Sequence, residues 1–118
     1  MSISILIPIF NGLKFTQSCL NSLFLEHKIA SKELNIHVVI TDDGSTDGSA
    51  EWIQSNYPQV SILKGNGDLW WSGGINRGIE HALHELKSEY VLWWNNDIVA
   101  DKNYFNSLAE IISNIDTT

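Results

Sequence analysis

The chain has 118 residues, 43% of them apolar, which is enough for one domain with a sizeable core. Its formal charge of −7 at neutral pH argues against non-specific binding to DNA, RNA or an anionic bilayer. Its one cysteine, Cys19, cannot form an internal disulfide, which favours a reducing cytoplasm.

The N-terminal segment, MSISILIPIFNG, has no basic residues, and Pro8 interrupts its apolar run. It is therefore neither a signal peptide nor a transmembrane segment. We expect a cytoplasmic protein without a transmembrane segment, and a peripheral position at the inner face of the membrane is left open.

The first predicted element is a strand over Ile3–Ile7, which Pro8 ends. Leucines at helical spacing then predict a helix over Leu13–Lys28. The run Ile36–Thr41 is apolar enough for a strand that is covered on both faces, as parallel strands are.

A short helix is predicted next, with Thr46 or Asp47 as its cap and Pro58 as its stop. A third strand follows over Val60–Leu63. Ser72 is the predicted cap of a third helix, whose apolar stripe is formed by Ile75, Ile79, Ala82, Leu83 and Leu86.

The fourth predicted strand is Tyr90–Trp94, a run of apolar and aromatic residues. Trp93 and Trp94 alternate along it, and we expect both to be mostly core. Asp101 is the predicted cap of a last helix. The predicted inner face of that helix has Tyr104 or Phe105 with Leu108, Ile111, Ile112 and Ile115.

Strands and helices thus alternate four times with short connections. This order is typical of an α/β fold with a mainly parallel sheet and helices on both faces. In such a sheet the ligand lies beyond the carboxyl ends of the strands. Four polar clusters fall at those ends: Pro8–Asn11, Asp42–Ser45, Asn66–Asp68 and Asn95–Asp97.

Asp42 lies on the last pleat of a buried strand, where its carboxylate could accept hydrogen bonds from a base imide or a ribose hydroxyl. The alternative is an ordinary surface turn, for which Asp-Gly and Ser-Thr-Asp are well suited. Asp47 and Thr46 fit that second interpretation as caps.

Glycines bracket Trp70 and Trp71, in Gly65–Gly67 and Gly73–Gly78. Glycine at a helix start allows a ligand to approach backbone N–H groups closely. Arg77 either adds charge against a diphosphate or is simply solvated. The pattern lacks Gly-Lys-[Ser/Thr], so it is not a P-loop, and no GxGxxG follows the first strand. The two tryptophans either form the wall of a sugar or base site or pack under their loop.

His81, His84 and Glu85 lie within about one helical turn of each other and resemble a metal site. The apolar stripe of the same helix occupies the buried face, so we expect these three residues to face water.

Asn95-Asn96-Asp97 ends the fourth strand with oxygen-bearing side chains. Mg²⁺ binds through one or two carboxylates together with substrate phosphates. Asp97 would supply the carboxylate and Asn95 an amide oxygen. The alternative is an ordinary turn, which Asn-Asn-Asp also forms.

Four motifs in order resemble the family 2 glycosyltransferases of GT-A fold, and most closely their rhamnosyltransferase-like branch. The motifs are Pro8-Ile9-Phe10-Asn11, then Asp42 to Asp47, then Gly73 to Gly78 with its Asn-x-Gly, and Asn95-Asn96-Asp97 as the DxD-type metal motif. Together they cover nearly all of the chain.

The resemblance implies a donor site for a UDP- or dTDP-sugar, from which the sugar passes with inversion to a glycan or lipid-linked glycan acceptor. Asp97, helped by Asn95, would hold Mg²⁺ or Mn²⁺ on the diphosphate. The implied substrate-binding residues are Pro8, Ile9, Phe10, Asn11, Asp42, Asp43, Asn66, Gly67, Gly74, Asn76, Arg77 and Asn96. The resemblance also implies a transferase that binds a metal and acts in cell-surface polysaccharide biosynthesis.

The sequence departs from the family pattern in two ways. Asn95 replaces the first carboxylate of the metal motif, and the family's catalytic base lies downstream of the motif, so no catalytic residue is named. We expect residues 1–118 to form a single nucleotide-sugar-binding domain, incomplete at its C-terminus, that is the N-terminal part of a longer enzyme. Its exposed apolar surface would favour a homo-oligomer.

Two alternative functions remain open at this point. The first is a non-catalytic nucleotide-sugar-binding module. The second is a carbohydrate-binding or interaction domain that uses Trp70 and Trp71, but it leaves the Asp42 and Asp97 clusters unexplained.

Overall fold

The computed structural model describes residues 2–29 and 34–116. Four strands form one parallel sheet in the order β3-β2-β1-β4, which confirms the predicted parallel α/β architecture. The strands are β1 Ser2–Ile9, β2 Asn35–Asp42, β3 Ser61–Lys64 and β4 Tyr90–Trp93. The helices are α1 Leu13–Ile29, α2 Ser49–Asn56, α3 Trp70–His81 and α4 Tyr104–Asp116.

The register brings the strand ends to one edge of the sheet. Ile9 of β1 lies opposite Asp42 of β2, and Asp42 lies opposite Lys64 of β3. On the other side of β1, Leu6 pairs with Trp93 of β4. The loops that follow these strands therefore meet at the edge where parallel sheets bind their ligands.

Helices cover both faces of the sheet, as the alternation of strands and helices along the chain predicts. On one face Ile3, Ile5 and Ile7 pack in a large cluster with residues of α1, α2 and α4. On the other face Leu6 and Val39 pack with α3 alone. Cys19 lies in the large cluster, and burial raises the pKa of its thiol to about 12, so the thiol is inert at neutral pH.

Helix α3 approaches β1 closely because two of its three glycines face that strand. A Cβ on Gly74 would lie 2.9 Å from Pro8 Cβ, and one on Gly78 would lie 3.3 Å from Leu6 Cδ2. The carbonyl of Gly74 also accepts a hydrogen bond of 3.0 Å from Thr41 Oγ1. These contacts fix the height of α3, and hence of the loop before it, above the sheet.

Three predicted helix starts are wrong. Helix α3 begins at Trp70 rather than after a Ser72 cap, because the carboxylate of Asp43 accepts the N–H groups of Leu69 and Trp70. Helix α2 begins at Ser49 with Gly48 as its cap residue. Helix α4 begins at Tyr104, after a turn in which the Tyr104 N–H donates to the Asp101 carbonyl.

Four residues predicted in the core are exposed. Trp93 is 56% exposed, because α3 packs over β1 and β2 and leaves this face of the edge strand β4 uncovered. Leu83 is exposed because a π-helical turn over Ala82–Leu86 follows α3 and rotates it out of the predicted stripe. Ile111 and Ile115 are exposed because the buried side of α4 consists of Phe105, Ala109 and Ile112.

The remaining predictions on side-chain placement agree with the structure. Trp94 is buried in the large cluster. His84 and Glu85 are exposed and His81 is partly exposed. Within residues 2–29 and 34–116, no group of three or more His, Cys, Asp or Glu side chains could hold a metal ion, and no helix is long and apolar enough to cross a membrane.

Candidate functional site

A cavity of about 390 Å³ opens at the carboxyl ends of β1 and β2. Its position agrees with the edge at which the sequence places the polar clusters. It is lined by Pro8, Ile9, Phe10, Asp43, Gly67, Trp70 and Trp71. The walls are thus largely apolar and aromatic, with one carboxylate, as is common for sites that bind a flat organic group.

The Asp43 carboxylate organises the loop that forms one side of the cavity. Its Oδ1 accepts the N–H of Gly67 at 2.8 Å, and its Oδ2 accepts those of Leu69 and Trp70 at 3.0 Å each. Gly65 must be a glycine here, because a Cβ would lie 2.6 Å from Asp43 Oδ1. One side chain from the end of β2 therefore holds the whole connection between β3 and α3.

These hydrogen bonds also determine the charge state of Asp43. Burial alone would raise its pKa, but the N–H groups of Trp70, Gly67 and Leu69 outweigh burial and hold the pKa below the usual value of 3.8. The side chain is therefore a carboxylate at neutral pH, so it acts only as a hydrogen-bond acceptor in the cavity.

Two aromatic side chains that line the cavity are largely exposed to solvent. Phe10 is 63% exposed and Trp70 is 79% exposed. Trp70 also has a left-handed backbone with φ of 58°, which is rare for a bulky residue and costs about 1–3 kcal/mol. Exposed rings in a held conformation offer flat surfaces to a ligand.

Asp42 has a different position from Asp43. It is buried, and its Oδ1 accepts the N–H of Ser45 at 2.9 Å inside the turn after β2. It is Asp43 that lines the cavity. A role of Asp42 in binding base or ribose stays a prediction.

Asn11 and Asp47 join the loops around the cavity. Asn11 has a left-handed backbone with φ of 56°, its N–H donates to Ser45 Oγ, and its Oδ1 accepts the N–H of Thr46. Asp47 accepts hydrogen bonds from Ser49 and from the N–H of Leu13 at the start of α1. The side-chain hydrogen bond from Ser49, with the N–H of Leu13, holds the pKa of Asp47 below its usual value.

The tip after β4 carries the predicted residues Asn95, Asn96 and Asp97. Asn95 Oδ1 accepts a hydrogen bond of 3.0 Å from Trp71 Nε1, and Asn96 Nδ2 donates to Thr16 Oγ1 at 3.2 Å. Asp97 is exposed. A single exposed carboxylate fits a cation that arrives with the phosphates of a ligand, because Mg²⁺ binds through one or two carboxylates plus substrate oxygens.

Four further predicted residues lie on α3 and in the loop before it. Gly74 is buried against Pro8. Arg77 Nη1 donates to the carbonyl of Lys64 at 2.8 Å, and Asn76 is exposed. Asn66 Oδ1 accepts the N–H of Asp68 at 3.3 Å. Ligand contacts of these four residues stay predictions.

Sequence reasoning left open the roles of Trp70 and Trp71, which the structure brings to the cavity together with five predicted residues, Pro8, Ile9, Phe10, Asp43 and Gly67. It missed the bond between Trp71 and Asn95 entirely. The glycines on either side of the Trp pair were a signal that these two tryptophans lie at a ligand site. No local pattern signals a bond between residues 24 positions apart.

A sequence model of one family covers almost the whole chain. The family is described as Glycosyl transferase family 2, and the match spans residues 4–118. The chain belongs to glycosyl transferase family 2. The family predicted from the four motifs is thereby confirmed.

Curated relatives are named as glycosyltransferases. Glycosyltransferase GlyG of Streptococcus pneumoniae is 29% identical over 97% of this chain and 36% of its own length. Poly(ribitol-phosphate) beta-glucosyltransferase of Bacillus spizizenii is 30% identical over 82% of this chain and 15% of its own length. The family 2 chain described here thus spans 36% or less of the length of these relatives.

Solved structures confirm the predicted GT-A fold. The crystal structure of S. aureus TarS 1-349 in complex with UDP has a TM-score of 0.74 and 25% identity, over 97% of this chain and 32% of that one. The mannosyltransferase PcManGT from Pyrobaculum calidifontis in complex with GDP-Man and Mn²⁺ has a TM-score of 0.69 over 86% of this chain and 29% of its own; at 17% identity it supports the fold alone.

Proposed function

We propose that this family 2 chain is the donor-binding part of an enzyme that transfers a sugar from a UDP- or dTDP-sugar to a glycan or lipid-linked glycan acceptor, with inversion. The observation that carries the proposal is the aromatic cavity at the carboxyl ends of β1 and β2. Its support is the similarity to TarS, which was solved with UDP. The rhamnosyltransferase-like branch and a role in cell-surface polysaccharide biosynthesis belong to the same proposal.

In this proposal the nucleobase enters the cavity and stacks on Phe10. Stacking of a base on an aromatic side chain contributes about 1–3 kcal/mol and needs an exposed ring face, which Phe10 has. The Asp43 carboxylate lines the same cavity and is an acceptor for the imide N–H that uracil and thymine share. Adenine has no ring N–H at the corresponding position, so the carboxylate disfavours it. Guanine has such an N–H, and our choice of a pyrimidine over guanine rests on the similarity to TarS, which was solved with UDP.

The diphosphate of the donor then extends toward the tip of β4. A chain with a net charge of −7 repels a diphosphate, so a cation between the two is favourable. We propose that Asp97 binds Mg²⁺ or Mn²⁺ there. The bound cation would stabilise the charge of the departing nucleoside diphosphate.

A second candidate function is a non-catalytic nucleotide-sugar-binding module. It is favoured by the lack of an assigned catalytic base among residues 2–29 and 34–116. We propose a cytoplasmic location for either protein, and we propose that the uncovered face of β4 supports a homo-oligomer. Production of free sugar or glycoside from UDP- or dTDP-sugars by this chain alone would rule out the module.

Calorimetric titration of nucleotides tests the proposal. UDP, dTDP and GDP are titrated with and without Mn²⁺ into the wild type and into Asp97→Ala. We expect UDP or dTDP to bind more tightly than GDP, and Mn²⁺ to strengthen binding in the wild type only. No binding of any nucleotide would contradict both candidate functions.

A further inference from the structure

Trp71 connects the cavity to the tip of β4. Its ring lines the cavity beside Trp70, and its Nε1 donates to Asn95 Oδ1 at 3.0 Å. Asn95 lies two residues before Asp97 in the chain. One side chain therefore contacts both the predicted base site and the segment that carries the predicted metal ligand.

A second contact holds Trp71 in this position. Its ring meets that of Trp93 edge to face, with centroids 5.7 Å apart and planes at 79°. Such a geometry is favourable for aromatic pairs. Trp93 is the last residue of β4, and Asn95 follows it by two positions. Trp71 therefore contacts Trp93 through its ring and Asn95 through its N–H.

Asn95 is also held through its backbone. Its carbonyl accepts the N–H of Ile98 at 3.1 Å, which closes the turn that contains Asp97. The hydrogen bond from Trp71 holds the side chain of Asn95, and the hydrogen bond from Ile98 holds its carbonyl. Together they determine the orientation of that turn. The amide oxygen of Asn95, which the sequence predicts as a metal ligand, already serves as the acceptor for Trp71.

We propose that Trp71 is a positioning residue that fixes Asn95 and so orients Asp97 toward the donor diphosphate. Asn95 then acts through its hydrogen bond to Trp71, and Asp97 is the direct ligand of the cation. This inference rests on the proposed function, since it concerns how the nucleotide and the cation favour each other's binding.

The consequence is a coupling between the cavity and the cation. A base that packs on the ring of Trp71 stabilises the position of the ring, and with it the turn of Asp97. By linkage, a cation on Asp97 strengthens nucleotide binding by the same factor. Removing the indole N–H while keeping an aromatic wall should weaken this coupling, which is measured as the ratio of the nucleotide affinities with and without the cation.

The hydrogen bond itself is tested without any ligand. Trp71→Phe assigns the indole resonance of Trp71 in ¹H–¹⁵N spectra of the metal-free protein. We expect Asn95→Ala to move that resonance and to leave the indole resonance of Trp52 on α2 in place. An unmoved Trp71 resonance in Asn95→Ala would overturn the inference while the proposed function stands.

The coupling is tested by titrating UDP with and without Mn²⁺. We expect Mn²⁺ to raise UDP affinity about tenfold in the wild type and less than about threefold in Trp71→Phe, in Asn95→Ala and in the double variant. Trp52→Phe, a tryptophan outside the site, should match the wild type.

Two outcomes of the titration would overturn the inference. If Trp71→Phe keeps the full Mn²⁺ effect while Asn95→Ala loses it, Asn95 is a direct ligand and Trp71 does not position it. If the wild type binds no nucleotide, the proposed function fails and the coupling fails with it, whatever the spectra show of the hydrogen bond.

Discussion

At the scale of single residues, Asp43 has the largest structural role at the site. The end of β2 is followed by two adjacent aspartates that look alike in sequence, yet their carboxylates serve different loops. Asp42 accepts a hydrogen bond within its own turn, whereas Asp43 accepts three N–H groups from the segment before α3. The cavity therefore depends on Asp43 for its shape as well as for its charge.

Replacing Asp43 by Asn should destabilise the protein and weaken nucleotide binding together. The amide has one acceptor oxygen instead of two and adds donors that face the N–H groups of Gly67 and Trp70. We expect a lower urea midpoint and a loss of UDP binding in calorimetry. As a control, Asp68→Asn changes an exposed acid in the same loop. A wild-type midpoint for Asp43→Asn would contradict this role.

The lowered pKa of Asp43 predicts how stability depends on pH. Its pKa in the folded protein lies below the usual 3.8, so the stabilisation is fully present above that value and is lost as the pH falls through the folded pKa. Urea unfolding between pH 6 and about 2.5 measures the loss. We expect the stability of Asp43→Asn to fall less steeply with decreasing pH than that of the wild type. An equal slope would show that Asp43 does not contribute to the acid dependence.

At the scale of elements, the sequence predicts the strands better than the ends of the helices. Apolar runs between turn residues locate all four strands, because such a run is a local property of the sequence. The start of α3 depends on a carboxylate from another loop, and the exposure of Leu83 depends on a π-helical turn. Neither feature has a signal within the helix itself.

The same distinction holds for the candidate site. Phe10 and Asp43 were predictable, because each directly follows a strand and strand ends meet at one edge. The bond from Trp71 to Asn95 was not, because it requires the height of α3 above the sheet. That height is set by the contact of Gly74 with Pro8.

Gly74→Ala should therefore destabilise the protein although alanine favours helices. The new Cβ would lie 2.9 Å from Pro8 Cβ, and such overpacking costs about 1–3 kcal/mol. Ser72→Ala, at an exposed position of the same helix, should be neutral or slightly stabilising. Thermal unfolding compares the two variants. Equal stability of both would show that α3 can shift without cost.

At the scale of the whole molecule, the sheet is covered unequally. Three helices pack on one face and α3 alone on the other, so Val91 and Trp93 of the edge strand remain exposed. An uncovered apolar face on an edge strand is a site for association.

This exposure predicts self-association of the chain on its own. Trp93→Gln removes most of the apolar surface at the edge and should shift the protein toward the monomer in sedimentation velocity. Leu25→Gln is the control, because Leu25 is exposed on α1. Trp52→Gln is unsuitable, because Trp52 packs against the core. A monomeric wild type at about 100 μM would contradict the predicted homo-oligomer.

The central claim is that the cavity beside Phe10 binds the base of a nucleotide-sugar. Calorimetric titration of UDP into the wild type, Phe10→Ala and Phe15→Ala tests it directly, because both phenylalanines are largely exposed and only Phe10 lines the cavity. Loss of base stacking should cost Phe10→Ala about 1–3 kcal/mol of binding free energy, with Phe15→Ala unchanged. Equal UDP affinity of Phe10→Ala and the wild type would contradict the claim.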